Sequence, residues 1–279
     1  MIRPQFVAVA LAVIGLSSGC SDYNLVHPDQ QVDPPQPGFP VAVCDVTPNP
    51  VTPPFQAATW DGSGSYDPDG LALTYSWQLV SQPAGSAVSL PSGSPDNPLL
   101  AGFTPDLAGD YVGELTVTNE HGNTATCQAT LTATPTQDMW VEMYWQCSGD
   151  DMDLHLLAPG GSLRTDQDCY YANCVDYGYG WGTLDWGQQG FAGDDPRLDL
   201  DDIPGTGPEN INIDQPADGV YTVVVNDYPG SVYTAGNDVT VNIYLGGSLV
   251  WTDTRTITGE NSDNFYAKID WATKTVTGL

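Results

Sequence analysis

The sequence predicts an all-β protein built from two antiparallel β-sandwich domains. Apolar residues alternate with polar ones in short segments, as in Leu73, Tyr75, Trp77 and Leu79. Residues two apart share one face of a strand, so this alternation indicates strands with one buried face. Pro and Gly interrupt the segments roughly every ten residues, which is typical of sandwiches. No segment shows a helical period.

The N-terminal segment predicts export from the cytoplasm. Arg3 precedes the uncharged apolar run Phe6–Leu16, which is too short to cross a bilayer as a mature helix and is typical of a secretory signal peptide. The run ends in small residues and Cys20, and this ending resembles the lipobox of bacterial lipoproteins, although Ser17 stands where a large aliphatic residue is usual. The resemblance implies diacylation of Cys20 and, because residue 21 is Ser rather than Asp, an outer-membrane or cell-surface location. An ordinary cleaved signal is the alternative.

The charge balance excludes several classes of partner. The chain has 35 Asp and Glu residues against 6 Lys and Arg, so it repels nucleic acid and anionic lipid surfaces. The acidic residues are interleaved with aromatic residues, Val and Gly, which favours folded, cation-attracting loops over a disordered tail. Acyl chains on Cys20 are therefore the predicted membrane attachment.

Composition divides the chain into four predicted segments. Five prolines among polar residues indicate an extended tether after the signal. The segments are a lipoprotein signal peptide over 1–20, a Pro-rich tether over 21–40, a first sandwich over 41–134 and a second, larger sandwich over 135–279.

Five further cysteines predict disulfides, because oxidised pairs are usual in exported proteins. Cys44 falls on the first strand of the first domain and Cys127 near its last strand, so these two are candidates for one bridge. Cys169 and Cys174 flank a four-residue loop, and Cys147 is an alternative partner for either.

The first domain carries several ordered landmarks. They are Trp60–Gly70, Leu73–Trp77, Pro83–Ser86, Phe103–Asp106 and Ala108–Tyr111. This set resembles a PKD domain, an immunoglobulin-like sandwich of extracellular proteins, and implies a spacer or adhesion module. Asp67 and Asp69 are interpreted as part of a turn ending at Gly70, with a calcium pair as the alternative. Trp77 is predicted to be in the core.

The second domain alternates again. Its predicted strands contain Val141–Trp145, Tyr221–Val225, Val239–Leu245 and Phe265–Trp271. Between the first and second of these lies a long polar stretch, 164–218, with little periodicity. Such a long strand-poor stretch must be ordered by disulfides, aromatic packing or a bound cation.

Three motifs of this domain resemble those of the YfaP-type family of bacterial β-sandwich domains. They are Asp150–Leu156, Asp194–Asp202 and Gly205–Asn210. The family has no settled activity, so the resemblance implies a fold and not a mechanism.

The same motifs predict a calcium site. Alternate strand residues share a face, so Asp199 and Asp201 are expected to point the same way. Clustered carboxylates repel one another unless a cation neutralises them, and calcium accepts many oxygen ligands. The predicted ligands are Asp151, Asp153, Asp194, Asp195, Asp199, Asp201, Asp202 and Glu209. A solvated acidic loop is the alternative.

An aromatic cluster in the polar stretch has two interpretations. Tyr179, Trp181 and Trp186 lie among glycines and aspartates, an arrangement that suits stacking on sugar rings. The same residues equally suit a satellite core that orders the loop, and this structural interpretation is favoured.

No sequence motif of a known catalytic class appears, so the chain is predicted not to be an enzyme. His155 is interpreted as structural. A carbohydrate-active enzyme is a third alternative, with Asp153 or Asp185 and Glu209 as its pair of carboxylates. The predicted function is a cell-envelope lipoprotein that displays non-catalytic binding or adhesion modules, with polysaccharide or a surface protein as partner. A structural scaffold within an envelope complex is the second alternative.

Overall fold

The computed structural model describes residues 38–175, 184–203, 205–230 and 236–279. Within these ranges the regular structure is entirely strand, which confirms the all-β prediction. The strands are β1 Asp45–Thr47, β2 Ala58–Asp61, β3 Leu73–Ser81, β4 Leu99–Phe103, β5 Gly109–Asn119, β6 Thr124–Ala133, β7 Met139–Trp145, β8 Met152–Leu157, β9 Asp168–Cys169, β10 Arg197–Leu200, β11 Glu209–Ile213, β12 Val220–Asp227, β13 Asn237–Leu245, β14 Ser248–Ile257, β15 Ser262–Asp270 and β16 Thr275–Gly278. None of the described residues forms a helix with the length and apolar character needed to cross a membrane.

The first domain is a sandwich of two three-stranded antiparallel sheets, ordered β1-β2-β4 and β3-β5-β6. Their inner faces bury an aromatic cluster in which the Trp60 ring lies 5.8 Å from Phe103, and Phe103 lies 5.4 Å from Tyr111. Trp77 is only partly buried and packs on Trp60 from the rim of this core. Trp77 was predicted to lie in the core, and it lies instead at the edge of the core.

The predicted turn at Asp67 is present. The Asp67 carboxylate accepts hydrogen bonds from the backbone N–H of Asp69 at 2.9 Å and from Asn119 Nδ2 at 2.9 Å, and the Gly70 N–H donates to the Asp67 carbonyl. Gly38 contacts the same region, because its N–H donates to Asp69 and its carbonyl accepts from Asn119. Gly38 is therefore packed against the first domain, although the tether predicted over 21–40 was expected to be unpacked.

The second domain is a sandwich of two five-stranded antiparallel sheets, ordered β10-β11-β7-β13-β14 and β16-β15-β12-β8-β9. Both faces of β8 and β11 are buried. The core between the sheets combines Val, Ile, Leu and Met side chains with Trp145, Tyr221 and Tyr266. Polar residues on β8 and β11 are consequently held inside the domain.

One strand departs from its predicted alternation. Phe265, Ala267 and Ile269 were expected to share a face, but Phe265 is exposed and Tyr266 is fully buried. The pairing of β12 with β15 skips Tyr266, since Val223 opposes Ala267 and Val224 opposes Phe265. This β-bulge reverses the phase of the strand and turns Tyr266 into the core.

A buried glutamate joins the two domains. Glu142 on β7 accepts four hydrogen bonds, from the Ala108 N–H of the first domain (3.2 Å), Trp140 Nε1 (3.2 Å), Asn242 Nδ2 (3.0 Å) and the Tyr244 hydroxyl (2.9 Å). Burial raises the pKa of Glu142, and the four donors act in the opposite direction. Ala108, Trp140 and Tyr244 also pack together as a small core. The domain junction is therefore closed by both apolar packing and a satisfied carboxylate.

Replacing Glu142 with Ala should lower the free energy of unfolding by about 3 kcal/mol, because several buried donors lose their acceptor. Calorimetric unfolding of the full chain measures this loss. Glu114→Ala is the matched control, since Glu114 also accepts two side-chain hydrogen bonds but is only partly buried. Equal effects of the two substitutions would contradict the proposed importance of the junction.

Candidate metal centre

The candidate site lies at the open edge between the two sheets of the second domain. Strand β8 pairs with β12 along its whole length but with β9 only at Leu156 and Leu157. Nearer its start, the backbone N–H of Leu154 donates instead to Glu209 Oε2 at 2.7 Å. Glu209 is the first residue of β11, in the opposite sheet. A side-chain acceptor therefore replaces a missing strand at this edge.

Three carboxylates converge at this edge. Asp153 lies on β8, Asp201 directly follows β10 and Glu209 begins β11. One oxygen from each lies within 4.8 Å of the others. Asp153 is 4% exposed and Glu209 is 1% exposed. A cation placed between these oxygens would be bound by three separate segments of the domain.

The buried oxygens at this edge lack protein partners. Asp153 Oδ2, Glu209 Oε1 and Asp151 Oδ1 are buried and have no hydrogen-bond donor. A buried acceptor without a partner carries a large desolvation cost, so native structures nearly always satisfy such groups. These three oxygens are therefore candidate ligand atoms.

The electrostatics agree with a missing positive charge. Burial, and next the charges of Asp151 and Asp201, raise the pKa of Asp153 to about 8. Burial, and then the charge of Asp153, raise the pKa of Glu209 well above its ordinary value. Burial and the neighbouring aspartates raise the pKa of Asp151 to about 6. A bound cation would offset both the desolvation and the mutual repulsion that raise these pKa values.

Most of the described cationic side chains have partners of their own. Arg164 binds Asp263, Arg197 binds Asp214, Arg255 binds Asp253, Lys274 lies over the Trp271 ring and the His155 ring is hydrogen bonded to Asp168. Among the described residues, no Lys or Arg donates a hydrogen bond to Asp153 or Glu209. Arg164 acts on Asp153 through its charge, but its guanidinium is paired with Asp263.

The structure separates Asp199 from Asp201, contrary to the expected shared face. Asp199 Oδ2 accepts from Asn212 Nδ2 at 2.7 Å, whereas Asp201 lies with Glu209. Asn212 and Glu209 are three residues apart on β11 and so point to opposite faces. The cause is an irregular register between Leu198 and Leu200, after which β10 ends.

Three other predicted ligands shape loops instead. Asp194 Oδ2 accepts from the Gln188 N–H at 2.6 Å, Asp195 Oδ1 from the Trp186 N–H at 2.7 Å, and Asp202 Oδ2 from the Gly207 N–H at 2.8 Å. Of the eight predicted ligands, Asp153, Asp201 and Glu209 meet, and Asp151 lies beside them.

The sequence reasoning missed two aspartates next to this cluster, Asp150 and Asp227. Both are buried, at 2% and 5% exposure. Asp150 directly precedes the predicted ligand Asp151, so the sequence could have indicated it. Asp227 ends β12, and only the antiparallel pairing of β12 with β8 brings it to Met152.

Trp186 is the member of the predicted aromatic cluster that the structure describes, and its environment supports the structural interpretation. Trp186 is 7% exposed and belongs to the core of the second domain. Its indole N–H donates to the Asp166 carbonyl at 2.8 Å, and its ring lies 6.3 Å from that of Tyr221. Tyr179 and Trp181 lie outside the described residues, as does Cys20.

The cysteines form Cys44–Cys127 and Cys169–Cys174 disulfides, as expected for the first pair and as one of the alternatives for the second. The backbone N–H of Cys147 donates to Asn237 Oδ1, and its carbonyl accepts from Asn237 Nδ2. Disulfides at these positions agree with an oxidising compartment.

His155 has a structural environment. Its Nδ1 lies 2.8 Å from Asp168 Oδ2, which also accepts from the Arg164 N–H. Its ring stacks on Tyr170 with centroids 4.9 Å apart, and it is 1% exposed. These contacts hold the disulfide loop against β8.

Comparison with known proteins identifies the first domain. Residues 48–133 match the family described as K319L-like, PKD domain, which confirms the PKD resemblance. No curated protein matches the chain. A solved structure from a study of "the promiscuous specificity of the carbohydrate-binding modules from the beta-sandwich super family" is 10% identical, with 83% of this chain and 84% of that chain covered and a TM-score of 0.27. A likeness this low carries no argument about fold or ligand. The PKD match fits a non-catalytic binding module.

Metal-free protein should lose stability as the pH rises from about 4 to about 8. The pKa of Asp153 is about 8 in the folded state and about 3.9 when unfolded, so the folded state retains a proton that the unfolded chain releases. Asp151, Asp201, Glu209 and Arg164 face this carboxyl, and Arg164 alone opposes the shift. Urea unfolding after metal removal, at pH 5.5 and 8.5, measures the slope. Asp153→Asn should flatten it, and an unchanged slope would contradict the assignment.

Proposed function

We propose that this chain is a cell-envelope lipoprotein whose sandwich domains act as a non-catalytic binding or adhesion module stabilised by calcium. The observation that carries the proposal is the set of buried, partnerless oxygens of Asp153 and Glu209 beside Asp201. The PKD match, the two disulfides and the predicted signal support an exported location. Polysaccharide or a surface protein is the proposed partner.

Calcium is the metal that suits this donor set. The three converging residues offer only carboxylate oxygens, and no histidine or cysteine belongs to the cluster. Hard oxygen ligands favour calcium, magnesium or manganese over zinc or copper. Calcium accepts six to eight oxygens at flexible angles, which suits ligands contributed by β8, β11 and the loop after β10.

The burial of the same carboxylates argues against a glycosidase. Retaining glycosidases place two carboxyl groups about 5 Å apart on either side of an accessible glycosidic bond. Asp153 and Glu209 have that proximity, but their exposures of 4% and 1% leave no room for a sugar between them. We therefore assign these carboxylates to metal binding and not to catalysis.

Calcium should raise the melting temperature of the full chain by about 5–10 °C relative to EGTA. Binding at about 100 times the dissociation constant stabilises the folded state by about 2.7 kcal/mol, and a domain of this size shifts by about 2–4 °C per kcal/mol. Thermal unfolding at about 10 mM calcium tests this, since that is about 100 times the dissociation constant of roughly 0.1 mM found for the tighter extracellular sites.

Glu209→Gln provides the sharper comparison. The Gln side chain still offers an oxygen to the Leu154 N–H but removes the buried charge. In EGTA, we expect this variant to have a higher melting temperature than the unaltered chain. We expect its affinity for calcium to be at least tenfold lower. Glu120→Gln, which removes the same charge on an exposed turn, should behave like the unaltered chain. A melting temperature that does not respond to calcium in the unaltered chain would contradict the calcium site.

The proposed anchor has its own test. Cells that express the full chain should incorporate labelled palmitate into it, and Cys20→Ser should abolish the label. Cys147→Ser is the control, because it removes a thiol outside the leader and should retain the label. Palmitate absent from the unaltered chain would indicate an ordinary cleaved signal.

A further inference from the structure

Two buried aspartates beside the candidate metal centre are not used by it. Asp150 and Asp227 are 2% and 5% exposed, and Oδ1 of each is buried without a hydrogen-bond partner. The other oxygen of Asp150 accepts from Asn237 Nδ2 at 3.0 Å. A buried carboxylate oxygen without a partner carries the same kind of desolvation cost as the oxygens of Asp153 and Glu209.

Strand pairing brings Asp227 next to the segment that contains Asp150. Asp227 opposes Met152 in the pairing of β12 with β8, and the Tyr228 N–H donates to the Asp151 carbonyl at 2.8 Å. Burial, and then the charges of Asp150, Glu260 and Asp151, raise the pKa of Asp227 to about 6. The end of β12 therefore lies against the segment that precedes β8.

Asp151 connects this location with the first cluster. The charges of Asp201, Asp150 and Asp202 all act on its carboxylate. The charges of Asp150, Glu260 and Asp151 act on Asp227. Asp151 therefore belongs to the surroundings of both the Asp153–Asp201–Glu209 cluster and the pair Asp150 and Asp227.

Protein donors do not neutralise the second group. Among the described residues, no Lys or Arg donates a hydrogen bond to Asp150 or Asp227. Asn237 Nδ2 donates to Oδ2 of Asp150. Among the described residues, no donor reaches Oδ1 of Asp150. A bound cation would supply the partner that both Oδ1 atoms lack.

We propose a second divalent-cation position bounded by Asp150 and Asp227, with Asp151 between it and the Asp153–Asp201–Glu209 position. It rests on the calcium dependence of the proposed function but uses different ligands. The oxygen-only donors again suit calcium, with water completing the coordination. Two ions would clamp the start of β8 on both sides, toward β11 through the first and toward β12 through the second.

The stoichiometry of calcium binding tests the proposal. Isothermal titration of the full chain, with bound ions counted by native mass spectrometry, should give two ions. Asp227→Asn should give one, with higher metal-free thermal stability because a buried repulsion is removed. Asp150→Asn should also give one, and it serves as a second probe if Asp227→Asn folds poorly. Asp166→Asn, at an exposed turn position, should keep two.

The outcomes separate the two sites. One ion that is lost in Glu209→Gln and retained in Asp227→Asn would overturn the second position and leave the first intact. One ion that is lost in Asp227→Asn and retained in Glu209→Gln would overturn the first position and support the second. A chain that binds no calcium would overturn both.

Discussion

A backbone donor at the edge of a sheet determines the chemistry of the second domain. The first half of β8 has no β9 residue beside it, so the Leu154 N–H must find an acceptor elsewhere. Glu209 of the opposite sheet provides that acceptor. This contact closes the sandwich, but it also buries a negative charge at the edge, next to Asp153. Among the described residues no Lys or Arg donates a hydrogen bond to either carboxylate, so a proton or a bound cation must balance the charge.

Two buried glutamates in this chain illustrate the difference between a structural carboxylate and a candidate ligand. Glu142 and Glu209 are each 1% exposed. Glu142 accepts four hydrogen bonds and joins the domains. Glu209 has one oxygen bound to a backbone amide and one without a partner. The number of donors, and not the burial, distinguishes them, since an unsatisfied buried oxygen is the costly feature.

In the second domain, the acidic residues that give the chain its net negative charge have distinct local roles. The described arginines pair with aspartates outside the candidate metal centre. Other carboxylates shape loops by accepting backbone hydrogen bonds, as Asp195 and Asp202 do, and those of Asp151 and Asp153 have buried oxygens without a partner. The acidic residues therefore contribute to turn formation in the polar stretch, and those around Asp151 form the candidate cation site.

The sequence by itself determined the all-β class, the PKD-like first domain and most strand faces, because side-chain alternation is local and follows from the strand period. It also indicated Asp153, Asp201 and Glu209, though among eight candidates. Only the tertiary structure separated Asp199 from Asp201, buried Tyr266 and brought Asp227 beside Met152, because bulges change the phase of a strand and antiparallel pairing joins residues that are distant in the chain. Those two effects depend on neighbouring strands, which a local pattern does not encode.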